Sequence, residues 1–388
     1  MNGVAAWLIF AIAVVGHGGL HIAIYNRING LGWPRKRIKR LVKFFLFTTI
    51  AIPIAVGYLE YDSLVAVLFD NGKWSGLGIV AYGYGAVCLA TWFVFGIPWL
   101  VWRPMFAVEW VDAPRSVNVI DVSQVFDRPL TLTKKAKWEA RLPMNQLLHL
   151  SIEEVELPVV GLPSRLDGYR IAHVSDIHLT GEIHADYARY AIERATKARP
   201  DLIALTGDII DKQPCIDWLV DIFSPAEASD GCFFILGNHD TRVVDSWETR
   251  NAMDRAGWID LGSQAMERQL GGVRCQVIGN EYPWFDRPTL HGTDAEFRLL
   301  LSHSPDQFTW ARRNGIELML AGHTHGGQGR LPLAGPILSP SFHGSRYASG
   351  DFYRTPTTMH VTRGLGGVHL LRINCRPELS LLTLRSVK

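Results

Sequence analysis

Residues 173–181, HVSDIHLTG, end an apolar run with an aspartate and a histidine two positions apart. The run that leads into them, RIAHVS at 170–175, has the length and composition of a buried β-strand. Carboxylate and imidazole groups are costly to bury without partners. A strand that ends in Asp176 and His178 therefore predicts that both side chains meet a partner at the edge of a sheet.

Several further apolar segments end in the same way, and amphipathic segments near 184–199, 214–223, 246–256 and 305–314 separate them. This alternation of strand and helix from Tyr169 onward is typical of an α/β domain. The polar residues that directly follow the strands are Asp208 after DLIALTG, Asn238, His239 and Asp240 after CFFILG, His303 after FRLLLS, and His323 and His325 after IELMLAG. In α/β domains ligands gather at such strand ends.

Carboxylates and neutral imidazoles without a thiolate suit Mn²⁺, Fe or Zn²⁺. The candidate ligands are Asp176, His178, Asp208, Asn238, His303, His323 and His325. One tetrahedral ion cannot use so many ligands, so two ions are implied. Gly207, Gly237 and Gly322 each precede a motif residue, and we expect them to supply the permissive φ and ψ of a sharp turn. Any single one of these residues also fits ordinary surface polarity; the ordered set predicts a dinuclear metal site.

In order, the motifs D-x-H, G-D, G-N-H-D, a solitary His and G-H-x-H resemble those of the calcineurin-like metallophosphoesterases over about residues 165–388. The resemblance implies an α/β/β/α sandwich and a hydrolase with two divalent ions, of which Mn²⁺ is the first choice. It implies two ligand sets that share Asp208: one of Asp176, His178, Asp208 and His325, the other of Asp208, Asn238, His303 and His323. It leaves His239 for catalysis, as a cation that stabilises or protonates the leaving oxygen, with Asp240 orienting its ring.

The longer strings GHTHGGQGRLPLAG (322–335), SRYASG (345–350) and TRGLGG (362–367) resemble membrane-attached relatives of UDP-2,3-diacylglucosamine pyrophosphatase. That resemblance implies hydrolysis of UDP-2,3-diacylglucosamine to lipid X and UMP in lipid A synthesis. Arg330, Arg346 and Arg363 are then candidate phosphate contacts, with surface solvation as the alternative.

Two other functions stay open at this point. One is a general phosphodiesterase or phosphomonoesterase of other lipid or nucleotide phosphates. The other is a catalytically inactive, metal-stabilised binding module, because enzyme folds also serve as binding modules.

The first hundred residues predict a transmembrane region. Three helices are expected at about 3–25, 41–59 and 77–102, since two of these segments carry no charge and each approaches the thickness of a bilayer. Residues 104–164 are predicted to be a linker with edge strands. Seven basic residues and no acid lie within 26–43, although the whole chain has a formal net charge of only +2.

Because basic loops stay on the cytoplasmic side, we expect an N-terminus outside and a cytoplasmic catalytic domain. With the resemblance, this implies a bacterial inner (cytoplasmic) membrane. The expected partners are the membrane and a lipid-linked phosphate or nucleotide-sugar substrate, without nucleic acid.

Three smaller features leave alternatives open. His17 and His21 lie four apart in the first helix and suit either a metal or haem or, more simply, a pair of neutral imidazoles facing other helices. Trp284 and Phe285 suit either contact with lipid headgroups or core packing. The five cysteines are widely spaced and form no C-x-x-C pair, so free thiols are expected.

Overall fold

The computed structural model describes residues 3–70, 74–367 and 369–387. The chain divides into two compact units. The helical unit is Met1–Val108 with Pro340–Arg346, and the α/β unit is Glu109–Ser339 with Tyr347–Lys388. The boundary predicted from sequence at residue 103 does not include Pro340–Arg346 in the helical unit, because this short segment is distant in sequence from the helices.

The helical unit consists of apolar helices. Their bounds are α1 (Gly3–Asn29), α2 (Arg35–Leu59), α3 (Tyr61–Phe69), α4 (Ile79–Thr91) and α5 (Ile97–Trp102). A π-helical turn, Trp92–Gly96, joins α4 to α5. Three runs are long and apolar enough to cross a membrane: Val4–Asn29, Arg35–Leu59 and Ile79–Trp102. The second begins six residues before the predicted start because Lys and Arg are good helix formers whose charged ends can reach the membrane surface.

His17 and His21 are both buried within the helical unit. His17 Nε2 lies 2.9 Å from the carbonyl oxygen of Thr49 and must donate to it, and its Nδ1 contacts the Tyr84 hydroxyl. His21 Nε2 lies 3.3 Å from the Thr48 hydroxyl oxygen. These contacts match the simpler interpretation, in which the imidazoles join α1 to α2 and α4 by hydrogen bonds.

The α/β unit contains two mixed sheets and a short hairpin. In chain order its strands are β1 (Arg115–Asp121), β2 (His149–Val160), β3 (Arg170–Val174), β4 (Leu202–Thr206), β5 (Cys232–Ile235), β6 (Ile259–Asp260), β7 (Ala265–Leu270), β8 (Val273–Asn280), β9 (Phe297–Ser302), β10 (Leu318–Ala321), β11 (Arg330–Leu331), β12 (Gly335–Pro336), β13 (Gly350–Arg354), β14 (Thr357–Val361) and β15 (Glu378–Val387). The sheet orders are β1-β2-β15-β3-β4-β5-β6 and β13-β14-β10-β9-β8-β7, and β11 pairs with β12.

The sheets pack face to face with helices on both outer faces. The central core combines residues such as Phe233 and Ile235 of β5 with Val277 of β8 and Leu299 of β9. The helices of this unit are α6 (Lys134–Ala140), α7 (Ala185–Lys197), α8 (Leu219–Phe223), α9 (Ser246–Arg255) and α10 (Phe308–Arg313). Helices α7, α8 and α9 cover the seven-stranded sheet and α10 covers the other. The predicted α/β/β/α sandwich is confirmed.

Two segments differ from the strands expected from sequence. In the region predicted to hold a linker with edge strands, β1 is an edge strand, whereas β2 lies second from the edge and pairs in parallel with β15 over ten residues. The apolar run VHLLRIN at 368–374 also predicts a strand, but no strand forms over its described part, 369–374, where only Ile373 makes isolated bridges; Val368 lies outside the described residues. There the buried Arg372 guanidinium donates to carbonyl oxygens of His325 and Arg363 instead of facing outward from a strand. Long-range partners, not local pattern, decide both cases.

Candidate metal centre

The predicted ligands lie together where the strands of both sheets end. Asp176 and His178 follow β3, Asp208 follows β4 and Asn238 follows β5, three neighbouring parallel strands of one sheet. His303 follows β9, and His323 and His325 follow β10, neighbouring strands of the other sheet. The sandwich thus collects side chains from distant positions of the sequence at one place.

One group consists of Asp176, His178, Asp208 and His325, whose ligand atoms all lie within 4.8 Å of one another. His178 Nε2 is 3.2 Å from His325 Nε2 and 3.5 Å from Asp208 Oδ2. His325 Nε2 is 3.6 Å from Asp176 Oδ1. Atoms that ligate one ion at about 2.1 Å lie roughly 3–3.5 Å apart, so this spacing fits a shared cation.

A second group consists of Asp208, His303 and His323. His303 Nε2 is 3.3 Å from Asp208 Oδ1 and 3.2 Å from His323 Nδ1. The amide oxygen of Asn238 is 3.1 Å from the same His303 nitrogen, which places it with this group. Asp208 belongs to both groups, with Oδ2 toward the first and Oδ1 toward the second. This is the arrangement that a bridging carboxylate requires.

An unsatisfied carboxylate oxygen at the site fits a cation. Within residues 3–70, 74–367 and 369–387, Asp208 Oδ2 is buried and accepts no hydrogen bond. Burial opposes protonation of His303, yet Asp208 and Asp176 outweigh it and raise its pKa to about 9. The carboxylates therefore make the electrostatic potential at the site negative, and a bound cation would compensate their charge. Carboxylate, imidazole and amide donors without thiolate match the predicted choice among Mn²⁺, Fe and Zn²⁺.

Five of these residues have a left-handed backbone. The φ angles are 52° at Asp176, 53° at His178, 52° at Asp208, 70° at His323 and 51° at His325. Non-glycine residues rarely adopt this conformation, which costs on the order of 1–3 kcal/mol each and concentrates at functional sites. Sequence reasoning missed this feature because it assigned the unusual conformation to the neighbouring glycines.

The glycines before the motifs have two different roles. Gly207 has a φ of +86°, as expected of a permissive turn. Gly237 and Gly322 do not lie in the left-handed region. Glycine is needed at these two positions because there is no space for a side chain. A Cβ atom would lie 2.3 Å from Asp208 Oδ1 at Gly237, and 1.9 Å from the Ser175 hydroxyl oxygen at Gly322. The expectation of permissive φ at these two positions is therefore wrong.

A carboxylate that sequence analysis missed orients two of the imidazoles. Asp211 Oδ2 lies 2.7 Å from His178 Nδ1, and Asp211 Oδ1 lies 2.6 Å from His239 Nδ1. The Arg242 guanidinium contacts Asp211 Oδ1 and lies 2.6 Å from His239 Nε2. Because guanidinium can only donate, His239 Nε2 accepts and Nδ1 carries the proton that it gives to Asp211.

The predicted role of Asp240 requires correction. Its Oδ1 accepts from the backbone N–H groups of Ile209 and Ile210 at 2.9 Å, and its Oδ2 accepts from Gly237 at 2.7 Å. This carboxylate fixes the turns after β4 and β5, whereas Asp211 orients His239. The spacing of Asp211 in GDIID, three residues after Asp208, was the available signal.

The protonation state of His239 also differs from the expected cation. Burial lowers the pKa of His239 to about 4, despite opposing effects of Asp208 and Asp211. A neutral ring also agrees with acceptance of a hydrogen bond from Arg242. Arg242 therefore supplies the fixed positive charge that sequence analysis assigned to His239.

The three candidate arginines have different surroundings. Arg330 donates to the carbonyl oxygen of Gly326 at 3.1 Å and contacts the Ser349 hydroxyl. Arg363 pairs with Glu153 and Glu378. Arg346, in the helical unit, lies 3.8 Å over the centre of the Trp102 ring. Their predicted contact with phosphate stays a prediction.

The site and the fold agree with what similar proteins show. A family model described as calcineurin-like phosphoesterase matches residues 169–327. The chain is 31% identical over 235 residues to the uncharacterized metallophosphoesterase YkuE of Bacillus subtilis (strain 168), and this match covers 58% of the chain and 82% of that protein. The chain belongs to the calcineurin-like phosphoesterase family. It is therefore a metal-dependent phosphoesterase of a family that uses dinuclear divalent metals, and the two ligand groups are its candidate metal site.

Two further relatives of this calcineurin-like phosphoesterase bear on its function. It is 31% identical over 223 residues to phosphodiesterase YaeI of Escherichia coli (strain K12), a match that covers 56% of the chain and 82% of that protein. It is 28% identical over 254 residues to a transmembrane protein with metallophosphoesterase domain from Danio rerio, which covers 60% of the chain and 57% of that protein. The printed name of this Danio rerio relative thus describes the same combination, transmembrane segments and a metallophosphoesterase domain.

Proposed function

We propose that this phosphoesterase is anchored in a membrane and hydrolyses a phosphate ester or pyrophosphate bond of an amphipathic substrate. The observation that carries the proposal is Asp208, one buried carboxylate shared by two ligand groups, beside the Asp211–His239–Arg242 cluster. A binding module needs no such pre-oriented imidazole next to its metals.

Phosphate esters resist hydrolysis because their anionic oxygens repel a nucleophile. Divalent ions, when bound, neutralise that charge and make water more acidic. The residues of this chain supply the rest. Arg242 places a permanent positive charge where a phosphate oxygen or leaving group gains charge. His239 is held by Asp211 at Nδ1, and a substrate that displaces Arg242 from its Nε2 would exchange a proton or a hydrogen bond there.

Exposed apolar side chains support an amphipathic substrate. Leu331, Leu333 and Leu338 are exposed in and directly after the hairpin β11–β12, a few residues beyond His325. The chain then continues into Pro340–Arg346, a segment of the helical unit. Leucines in such a hairpin suit contact with acyl chains or with the membrane surface.

Within this class, our first candidate is UDP-2,3-diacylglucosamine, cleaved to lipid X and UMP in lipid A synthesis. Its support is the resemblance of the strings at 322–335, 345–350 and 362–367, of which the first contains the basic side chain of Arg330 and the last that of Arg363. The second candidate is another phosphodiester of a lipid or nucleotide, which the printed name of the relative YaeI favours. We place the protein in a bacterial inner membrane, with the lipid-linked substrate and the membrane as partners.

The test uses the full chain, purified in detergent with Mn²⁺. Turnover is compared for UDP-2,3-diacylglucosamine, its deacylated form and bis-p-nitrophenyl phosphate, with His239→Ala and a chelator as controls. The proposal expects a higher kcat/KM for the acylated than for the deacylated compound. Equal kcat/KM for the two would reject the amphipathic substrate, and metal-loaded protein that hydrolyses none of the three would favour the inactive binding module.

A further inference from the structure

The indole of Trp284 lies beside one half of the metal centre. Its ring centroid is 4.8 Å from that of His323 and 5.4 Å from that of His303, two members of the second ligand group. The side chain is only partly buried. Its neighbour Phe285 packs against the core beneath the helices, so Trp284 itself is the aromatic residue that borders the centre.

Residues 280–285 hold Trp284 firmly in this place. The fully buried Glu281 accepts the backbone N–H of Leu236 at 2.5 Å and pairs with Arg250 at 2.7 Å. The backbone N–H of Trp284 donates to the carbonyl oxygen of Glu281 at 3.2 Å. The backbone of Trp284 is thus anchored next to a buried ion pair, which restricts where its ring can lie and limits the entropy lost when a ligand stacks on it.

Orientation of the His303 imidazole does not require the indole. His303 Nδ1 donates to the carbonyl oxygen of Thr206 at 2.7 Å, which already fixes its ring and leaves Nε2 for the metal. Trp284 contacts His303 through its ring. A partly exposed, rigid aromatic ring beside metal ligands is thus placed to contact something outside the protein chain.

We infer that Trp284 is a substrate-contact residue that stacks on a planar ring carried by the group esterified to the phosphate, such as the base of a nucleotide or an aryl group. The inference rests on the proposed phosphoesterase activity and adds a substrate class to it. Stacking of a base on an aromatic side chain tolerates different rings, so Trp284 favours ring-bearing phosphodiesters over ring-free ones without selecting one base.

Two diesters test this inference: bis-p-nitrophenyl phosphate, which carries rings, and bis(2,2,2-trifluoroethyl) phosphate, which carries none. Trp284→Ala should lower kcat/KM for the first by about 10- to 100-fold, chiefly through KM, and for the second by less than about threefold. Trp284→Phe should restore most of the loss, and the number of metal ions per chain should not change. Trp138→Ala, at a residue that is 64% exposed on α6, is the matched control.

Equal losses for both diesters, no loss for either, or release of metal from Trp284→Ala would overturn the inference. Failure of the proposed function looks different. In that case the wild-type protein with two metal ions per chain would hydrolyse neither diester, whatever residue stands at position 284.

Discussion

A single buried carboxylate, Asp211, organises the side chains around the metal centre. One of its oxygens bonds a predicted metal ligand, His178, and the other bonds the predicted catalytic residue, His239. Its pKa is lowered, because the charge of His178 and the hydrogen bonds of His178 and His239 outweigh the effect of burial. The same residue thus couples metal binding to catalysis through the orientation of two rings.

Asp211→Asn should impair both functions. Its amide has only one oxygen acceptor, so one of the two imidazoles loses its partner and its fixed orientation. Loss of such a partner typically costs about 10- to 100-fold in metal affinity or activity. The measurements are kcat and metal affinity, with Asp217→Asn at an exposed position as the control. Unchanged kcat together with unchanged metal affinity would refute this role.

His239→Ala should separate catalysis from metal binding. The variant keeps every predicted ligand, so both ions should remain, while kcat falls by about 10²- to 10⁴-fold. Metal content and kcat are measured on the same preparation. If the folded variant lost its ions, His239 would be a ligand and not a catalytic residue.

The candidate metal ligands that the structure brings together were predictable from sequence, but Asp211, Arg242 and the contacts that these two residues make were not. Residues such as Asp176 and His303 could be identified because they are polar and follow apolar runs of the sequence. The choice between Asp211 and Asp240 as partner of His239 depends on the left-handed turn at Asp208, which directs the following residues. Such a turn at a non-glycine residue is stabilised by tertiary contacts and leaves no local signal.

The turns that follow the strands depend on close packing between the two sheets. At Gly322, directly after β10, a Cβ atom would lie 1.9 Å from the Ser175 hydroxyl oxygen and 2.3 Å from Asp176 Oδ2, both after β3. The turn of one sheet therefore presses on the turn of the other. This contact, rather than a special φ, makes glycine necessary.

Gly322→Ala should push these turns apart. Overpacking of this kind costs about 1–3 kcal/mol, and Asp176 should lose its position as a ligand. Gly329→Ala is the matched control, because a Cβ atom there meets nothing within 4 Å. Thermal unfolding and metal content distinguish the variants, and equal behaviour of the two would show that space at Gly322 is not limiting.

The local sequence pattern predicted the helices and strands better than it predicted which strands pair. The apolar stripe of α7 and the short apolar strands β3, β4 and β5 were visible in sequence. The placement of β15 between β2 and β3 was not, because partners more than 200 residues apart are selected by the assembled sheet. For the same reason the predicted linker contained a strand of the main sheet.

The distribution of charge over the whole chain predicts its orientation in the membrane. Seven basic residues lie within 26–43: Arg27 lies near the end of the first candidate span, and the other six lie at the start of the second. Three spans would then return the chain to the side of these basic residues. The phosphoesterase unit should therefore lie in the cytoplasm.

Reporter fusions after residue 388 measure this orientation directly. Green fluorescent protein should fluoresce there, and alkaline phosphatase should be inactive, because each folds on only one side of the membrane. Exchange of the basic residues in 35–40 for Gln should weaken the preference. An active phosphatase fusion on the wild-type chain would place the catalytic unit outside.

The direct test of the dinuclear site is the number of metal ions bound per chain. Protein purified with Mn²⁺ should contain two ions by elemental analysis, and Asp208→Asn should contain at most one, because both groups share this carboxylate. His239→Ala serves as the variant that retains the ligands. One ion or none in the wild-type chain, or two ions retained by Asp208→Asn, would contradict the bridged pair of cations.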